Sequence, residues 1–479
     1  MTFDALAGVL LIPAVAACLL AALPGYRLTS RLNVLATFLT FATAVSLFVV
    51  EPRSGPYLLV DDLNKVFIVL TTFVSFTTSV FSASYIGHEI KIGRLKPTYV
   101  RFYHAMYQVL MFAMNLALIA NNIGLMWVAI EMATLTTVLM VGIYRTHEAL
   151  EAAWKYFILG SVGSALALFG TSLGYMAARP VIGEGPEAMV WTTLITRAAK
   201  FDPALLNVAF VFLLLGYGTK VGLAPLHAWL PDAHAEGPTP ISAVLSGLLL
   251  NVALYALLRF KMLLALNPAA IAPGPLMVTM GLISCVFAAF MLYRRRDIKR
   301  MFAYSSIEHM GIIVFAFGMG GPLANFAGLL HMTMHSLTKS AIFFAVGHIA
   351  RVKGTQKIAD MGGLTVTNPV LGWGLVLGVV AIAGLPPLGI FMSEFLVVSS
   401  TFARSPWLTI ILVFGILVAL GGLFLRLNTI AFGEPRGPTA PADASYVPMF
   451  AHLAIVFLAG IYMPPALVTG FQNVARLLG

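Results

Sequence analysis

The sequence predicts an all-α integral membrane protein: a single polytopic domain over residues 1–479 with about fourteen transmembrane helices. Three observations lead there. Only 29 Lys+Arg and 19 Asp+Glu occur in 479 residues, so charged residues are 10% of the chain, against roughly 25% in soluble domains. Mean hydropathy is +0.92, more apolar surface than a water-exposed fold can hide. Apolar stretches of about 20 residues, the length that crosses a hydrocarbon core, follow one another almost without interruption.

In order, the spans run over 3–23, 32–50, 63–85, 105–120, 122–144, 153–177, 204–227, 238–258, 274–293, 301–318, 322–350, 370–402, 407–430 and 447–470. The first has an acidic Asp4 and lacks a basic start or cleavage site, so it is expected to be a retained helix rather than a signal peptide. Spans 322–350 and 370–402 are too long for one straight crossing. Loops after odd-numbered spans, including Arg27 and Arg31, Lys91 to Arg101 and Arg294 to Arg300, carry 18 Lys and Arg. Those after even-numbered spans, with the C-terminus, carry 9. The positive-inside rule then expects both termini outside a bacterial or archaeal cytoplasmic membrane. The run RRRDIKR at 294–300 is expected to anchor on lipid headgroups from the cytoplasmic side.

This composition excludes a soluble enzyme, a disordered chain and a nucleic-acid binder. The net charge of +10 is read as cytoplasmic loop charge instead of a phosphate-binding patch. Two cysteines, Cys18 and Cys285, are too few for a zinc or iron–sulfur cluster and are expected to be buried thiols. No phosphate loop, nucleophile elbow or dinucleotide fingerprint is present, so no cofactor is expected in this chain.

Charges inside the spans carry the functional information, since each costs about 2.5–3.5 kcal/mol at mid-membrane. Glu131 lies within LMWVAIEMATLTTVLM, and Lys220 lies among Gly216, Gly218, Gly222 and Pro225. Glu308 and His309 follow one another in the tenth span. His331, His335 and Lys339 recur at i, i+4 and i+8, on one helix face. Glu394 follows the Pro386–Pro387 pair. Gly/Pro breaks beside Lys220 and Glu394 predict discontinuous helices at an ion site. The two lie five spans apart, as do Glu131 and Glu308; an odd offset means opposite orientation, so an inverted repeat is expected. His331 and His335 suit a hydrated proton relay better than a metal, and no metal is expected. His227 and His234, near the end of span seven, are either loop residues or a proton entry.

The run KVGLAPLHAWLPDAHAEGPTPISAVLSG at 220–247, with RMFAYSSIEHMGII at 300–313, HMTMHSLTKSAIFF at 331–344 and GLPPLGIFMSEF at 384–395, resembles the antiporter-like subunits of respiratory complex I and its relatives. The resemblance covers about 60–430. Glu308 in SSIEHMG and NVALYALLRF at 251–260 resemble the branch of membrane-bound group 4 nickel–iron hydrogenases, nearest its hydrogenase-4 type. The resemblance implies fourteen helices, two inverted five-helix repeats (about 105–258 and 274–430), and broken helices seven and twelve. It implies proton translocation through Glu131, Lys220, Lys339 and Glu394, with His227, His234, Asn251, Glu308, His309, His331 and His335 as a supporting polar axis. Asn251 departs from the pattern, since many relatives carry Lys or His there. The implied partners are other membrane subunits, lipid and a peripheral redox arm holding a nickel–iron centre and iron–sulfur clusters. A subunit of a sodium/proton antiporter complex, or a passive membrane anchor for a redox arm, are the alternative readings.

Overall fold

A computed structural model describes residues 5–50, 54–438 and 445–479; Asp4 lies outside them. Among the described residues twenty α-helices follow in order. The first eight are α1 (Ala5–Ala22), α2 (Tyr26–Ser46), α3 (Asp62–Lys91), α4 (Pro97–Ile119), α5 (Ile123–Val141), α6 (His147–Ile182), α7 (Trp191–Arg197) and α8 (Pro203–Val221). Next come α9 (Trp229–Glu236), α10 (Thr239–Val244), α11 (Leu250–Ala265), α12 (Pro273–Leu292), α13 (Ile298–Met319) and α14 (Gly321–Lys353). The last are α15 (Leu364–Thr367), α16 (Pro369–Ile382), α17 (Gly389–Arg404), α18 (Pro406–Leu427), α19 (Val447–Ile461) and α20 (Pro465–Leu477). The only β pairing among the described residues is isolated bridges between loops.

Several of the long helices start where a short polar side chain takes up free backbone N–H groups. Asp61 and Asn64 cap α3 reciprocally, and Asn122, Thr146, Asp202 and Asp297 cap α5, α6, α8 and α13. Among the described residues, eleven helices are long and apolar enough to cross a membrane, one of them α10 and α11 joined through a π-helical turn at Leu245–Leu249. The span 370–402 is divided, as its length suggested, into α16 and α17. The span 322–350 is not: α14 is one continuous helix of 33 residues.

The expected crossing 447–470 is corrected. It ends at Ile461, and α20 leaves at 82° to α19. Pro464 and Pro465 interrupt the helical hydrogen bonds at that point. Helix α20 buries Phe471, Val474 and Ala475, and the backbone carbonyls of Ala475, Leu478 and Gly479 accept from Asn325 and Lys261. Cys18 is also corrected: it is exposed on the apolar outer surface, while Cys285 is buried.

Polarity runs inward. Residues 239–264 are all buried, and α14 is ringed by α3, α10, α13, α16, α17, α19 and α20. The outer helices α1, α2, α6 and α18 present Leu, Val, Ile and Phe outward. Some helix pairs approach backbone to backbone, among them α6 with α8 and α12 with α13. A Cβ on Gly216 of α8 would lie 2.5 Å from the Ala167 nitrogen of α6, and one on Gly281 of α12 would lie 2.6 Å from the Gly311 carbonyl of α13. Such contacts suit helices that associate by van der Waals packing in lipid.

The breaks after α8 and α16 share the pattern Gly-Leu-x-Pro-Leu, at 222–226 and 384–388. In both, the glycine is left-handed, φ 83° at Gly222 and 66° at Gly384. Leu223 donates to Gly218 and Leu385 to Val380, each closing the six-residue ring of a glycine-terminated helix. Leu226 and Leu388 then donate to Leu223 and Leu385. The tenth residue beyond each glycine is acidic, Asp232 and Glu394.

Candidate functional site

Lys220 occupies the last turn of α8, just before the first break, and is 6% exposed. Its ammonium donates to Glu131 Oε2 at 3.0 Å and to Thr134 Oγ1 at 2.7 Å, both on α5. Ser164 of α6 donates to the same carboxylate oxygen of Glu131. Glu131 retains 18% side-chain exposure, so the pair is buried on the lysine side and open on the other. A cavity of about 10 Å³, room for one water, borders Lys220, Thr134, Tyr156 and Trp229. Trp229, beyond the break, donates back to the Thr219 carbonyl and stacks on Tyr156 at 4.3 Å, which holds the two helix pieces together.

The inner face of α14 carries His331, His335 and Lys339, all fully buried. Lys339 donates to the Phe302 carbonyl of α13 at 3.0 Å and lies over the Phe302 ring. Neither ring nitrogen of His335 has a hydrogen-bond partner among the described residues, and the same holds for His234 of α9, which stacks on Phe343. Buried polar groups left this way are places where water binds. His227 sits inside the first break, its ring against Phe287 and Tyr304.

Asn251 of α11, where the expected lysine or histidine is missing, donates to Ser336 of α14 at 2.7 Å. Ser246 and Ser306 join the π-helical turn to α13 at 2.7 Å. The helix between Lys220 and α14 is therefore crossed by short hydroxyl and amide side chains.

On α13, Glu308 Oε2 lies 3.2 Å from His309 Nε2, at ion-pair distance though without hydrogen-bond alignment. His309 Nδ1 is 2.9 Å from His331 Nε2 and 4.0 Å from Glu394 Oε1. Glu394, on the second turn of α17, is 8% exposed and rests against Gly384 in the second break, where a Cβ would collide with the carboxylate. Glycine at 384 thus both ends α16 and makes room for Glu394.

The structure brings together Glu131 with Lys220, and Glu308, His309 and His331 with Glu394. Lys339 is hydrogen-bonded to a backbone carbonyl, and the nitrogens of His335 have no hydrogen-bond partner among the described residues. Sequence reasoning missed Thr134, Ser164, Ser336 and Ser393, since a serine in an apolar helix gives no signal of what it faces. It also read the whole run 294–300 as a surface anchor. Lys299 turns inward, 1% exposed, and donates to the Ala235 and Gly237 carbonyls at the end of α9. Away from this row, Arg259 pairs with Asp61 at 2.7 Å, and the buried Glu89 lies 3.6 Å from Arg94.

Residues 120–419 match the model of the NADH:quinone oxidoreductase/Mrp antiporter transmembrane family. A hydrogenase-4 component F homolog from Methylacidiphilum infernorum is 65% identical over 472 residues, 98% of this chain and 99% of that one. A chain of the archaeal membrane-bound sulfane sulfur reductase superposes with a TM-score of 0.86 at 23% identity, covering 99% of this chain and 97% of that one. A chain of the Mrp complex from Dietzia sp. DQ12-45-1b gives 0.85 at 17% identity, covering 100% and 98%. The two solved structures show the same fold.

Proposed function

We propose, for a chain that belongs to the NADH:quinone oxidoreductase/Mrp antiporter transmembrane family, that it is the proton-translocating, antiporter-like membrane subunit of a redox-driven complex of hydrogenase or NADH dehydrogenase type. The observation that carries this is a Lys–Glu pair with its lysine buried at one matched helix break and a buried carboxylate at the other, with ionisable side chains between them. An isolated charge in a membrane interior is costly, and a row of them beside interrupted helices is the signature of an ion pathway.

In this reading Lys220 exchanges its proton as the distance to Glu131 changes. A charge movement in a neighbouring subunit would draw Glu131 away or push it back. The proton passes through water and the Asn251–Ser336 bridge to the α14 face, and Lys339, His335, His331 and His309 hand it to Glu394. His227 and His234 lie toward the entry, and Glu308 tunes His309. Moving one charge against 100 mV takes about 2.3 kcal/mol, within reach of a modest change at one buried pair. The helices over about 105–258 and 274–430 act as two inverted repeats, a reading supported by the shared hydrogen bonding of the breaks.

This subunit is itself non-catalytic. Nickel–iron and iron–sulfur centres belong to the peripheral arm it assembles with, alongside other membrane subunits and lipid. It sits in the cytoplasmic membrane of a bacterium or archaeon with both termini outside. The 65% identity over nearly the full length to a hydrogenase-4 component F homolog favours the hydrogenase type. The test is to purify the chain with its natural partners, identify them by mass spectrometry, and measure redox-driven proton uptake in proteoliposomes. A co-purifying nickel–iron large subunit and sodium-independent uptake support the reading. Uptake that requires sodium, with no redox subunit present, would replace it with sodium/proton antiport.

A further inference from the structure

We propose that His309, His331 and Glu394 form a binding site for a divalent transition-metal ion of the zinc class, at the meeting of α13, α14 and α17. Spacing along the chain pointed to His331 and His335 on one helix, whereas these donors come from three.

The donor atoms converge. His309 Nδ1 and His331 Nε2 are 2.9 Å apart, His309 Nδ1 and Glu394 Oε1 are 4.0 Å apart, and all three ligand atoms lie within 4.8 Å of one another. An ion held at about 2.0–2.2 Å by nitrogen and oxygen needs its ligands a little over 3 Å apart, so only the Glu394 carboxylate has to swing inward. All three residues are buried. Two imidazoles and a carboxylate suit zinc, cobalt or copper over calcium or magnesium, which take oxygen ligands.

A second observation is independent of the first. Each imidazole turns one nitrogen to the centre; on the far side His331 is held by a hydrogen bond, and His309 faces a carboxylate at ion-pair distance. His331 Nδ1 is 2.9 Å from Ser393 Oγ, and His309 Nε2 is 3.2 Å from Glu308 Oε2. Metal-binding histidines are oriented in this way by a hydroxyl, carbonyl or carboxylate on the far nitrogen. Glu394 and Glu308 together supply the two negative charges that a dication needs in an apolar surrounding. The proton now shared between His309 and His331 leaves when the ion takes its place. The His335 ring, 5.5 Å from that of His309, borders the position left for a fourth ligand or a water.

Binding rests on this donor geometry alone. That the ion would block proton transfer rests on the reading of Glu394 as carrier, and the two can fail separately. The purified complex, stripped with chelator, is dialysed against micromolar Zn²⁺ and assayed for bound metal, with Co²⁺ as spectroscopic probe. We expect one tightly held ion per chain and the visible bands of four- or five-coordinate Co²⁺. His309→Gln and His331→Gln should lose the ion, and Ser393→Ala, which touches no ion, should weaken it about 10–100-fold. His452→Gln, a buried histidine on α19, should change nothing. Binding unaffected in both His309→Gln and His331→Gln, or the same in Ser393→Ala as in wild type, overturns the site. Stoichiometric binding without slower proton uptake leaves the site standing and removes Glu394 from the proton path.

Discussion

Replacing Lys220 by methionine keeps most of its volume and removes its charge. The ammonium is bonded at 3.0 Å to Glu131 and 2.7 Å to Thr134. Breaking a dry buried pair by removing one partner costs about 3–5 kcal/mol, because the other charge is stranded. Glu131 is not fully stranded here. It keeps the Ser164 hydroxyl, a bond to a charged group worth about 1.5–3 kcal/mol, and it is 18% exposed. The expected loss of stability is therefore about 1–3 kcal/mol, enough to weaken the complex but not to prevent assembly. Adding Glu131→Gln should restore most of that stability, since a neutral pair of similar volume leaves no buried charge. It should not restore pumping, which needs the titrating lysine. Thermal denaturation of the purified complex measures the first effect and dye-reported proton uptake in proteoliposomes the second. Wild-type uptake by the assembled single variant would remove Lys220 from the pathway. Recovery of both stability and uptake in the double variant would make the pair a packing device.

Glu394→Gln should leave redox turnover measurable while proton uptake falls about tenfold or more, and Glu394→Asp should keep part of the activity, because a carboxylate survives. Full coupling in the Gln variant would move the terminal role to Lys339. Gly216→Val should destabilise the α6–α8 contact by about 1–3 kcal/mol or more, as overpacking does, since even a Cβ there would lie 2.5 Å from backbone. An unchanged melting temperature would refute that contact. Cysteines placed at Lys96, Arg295 and Lys357 in a cysteine-free background should resist labelling from the periplasmic side. The last two belong to loops joined by the Asp297–Lys357 bridge, so opposite labelling of those two would contradict the fold itself.

The fold class and most of the buried ionisable side chains were legible in the sequence, for one physical reason. Lipid allows only apolar residues and closed backbone hydrogen bonding, so each departure from apolar helix stands out by itself. Glu131, Lys220, Lys339 and Glu394 are found that way, and so are the Gly/Pro breaks beside Lys220 and Glu394, although their shared Gly-Leu-x-Pro-Leu hydrogen bonding was not. The bend after Ile461 was missed because hydropathy counts apolar residues without regard to direction, and Pro464 and Pro465 decide direction. Lys299 was read as surface because charge in a basic run looks alike whether it faces lipid headgroups or two helix-end carbonyls. Tertiary structure alone decided which polar groups meet. Ser164 on Glu131, Ser336 on Asn251 and Ser393 on His331 join residues 33, 85 and 62 positions apart. No periodicity along one helix can report a contact made by packing another helix against it.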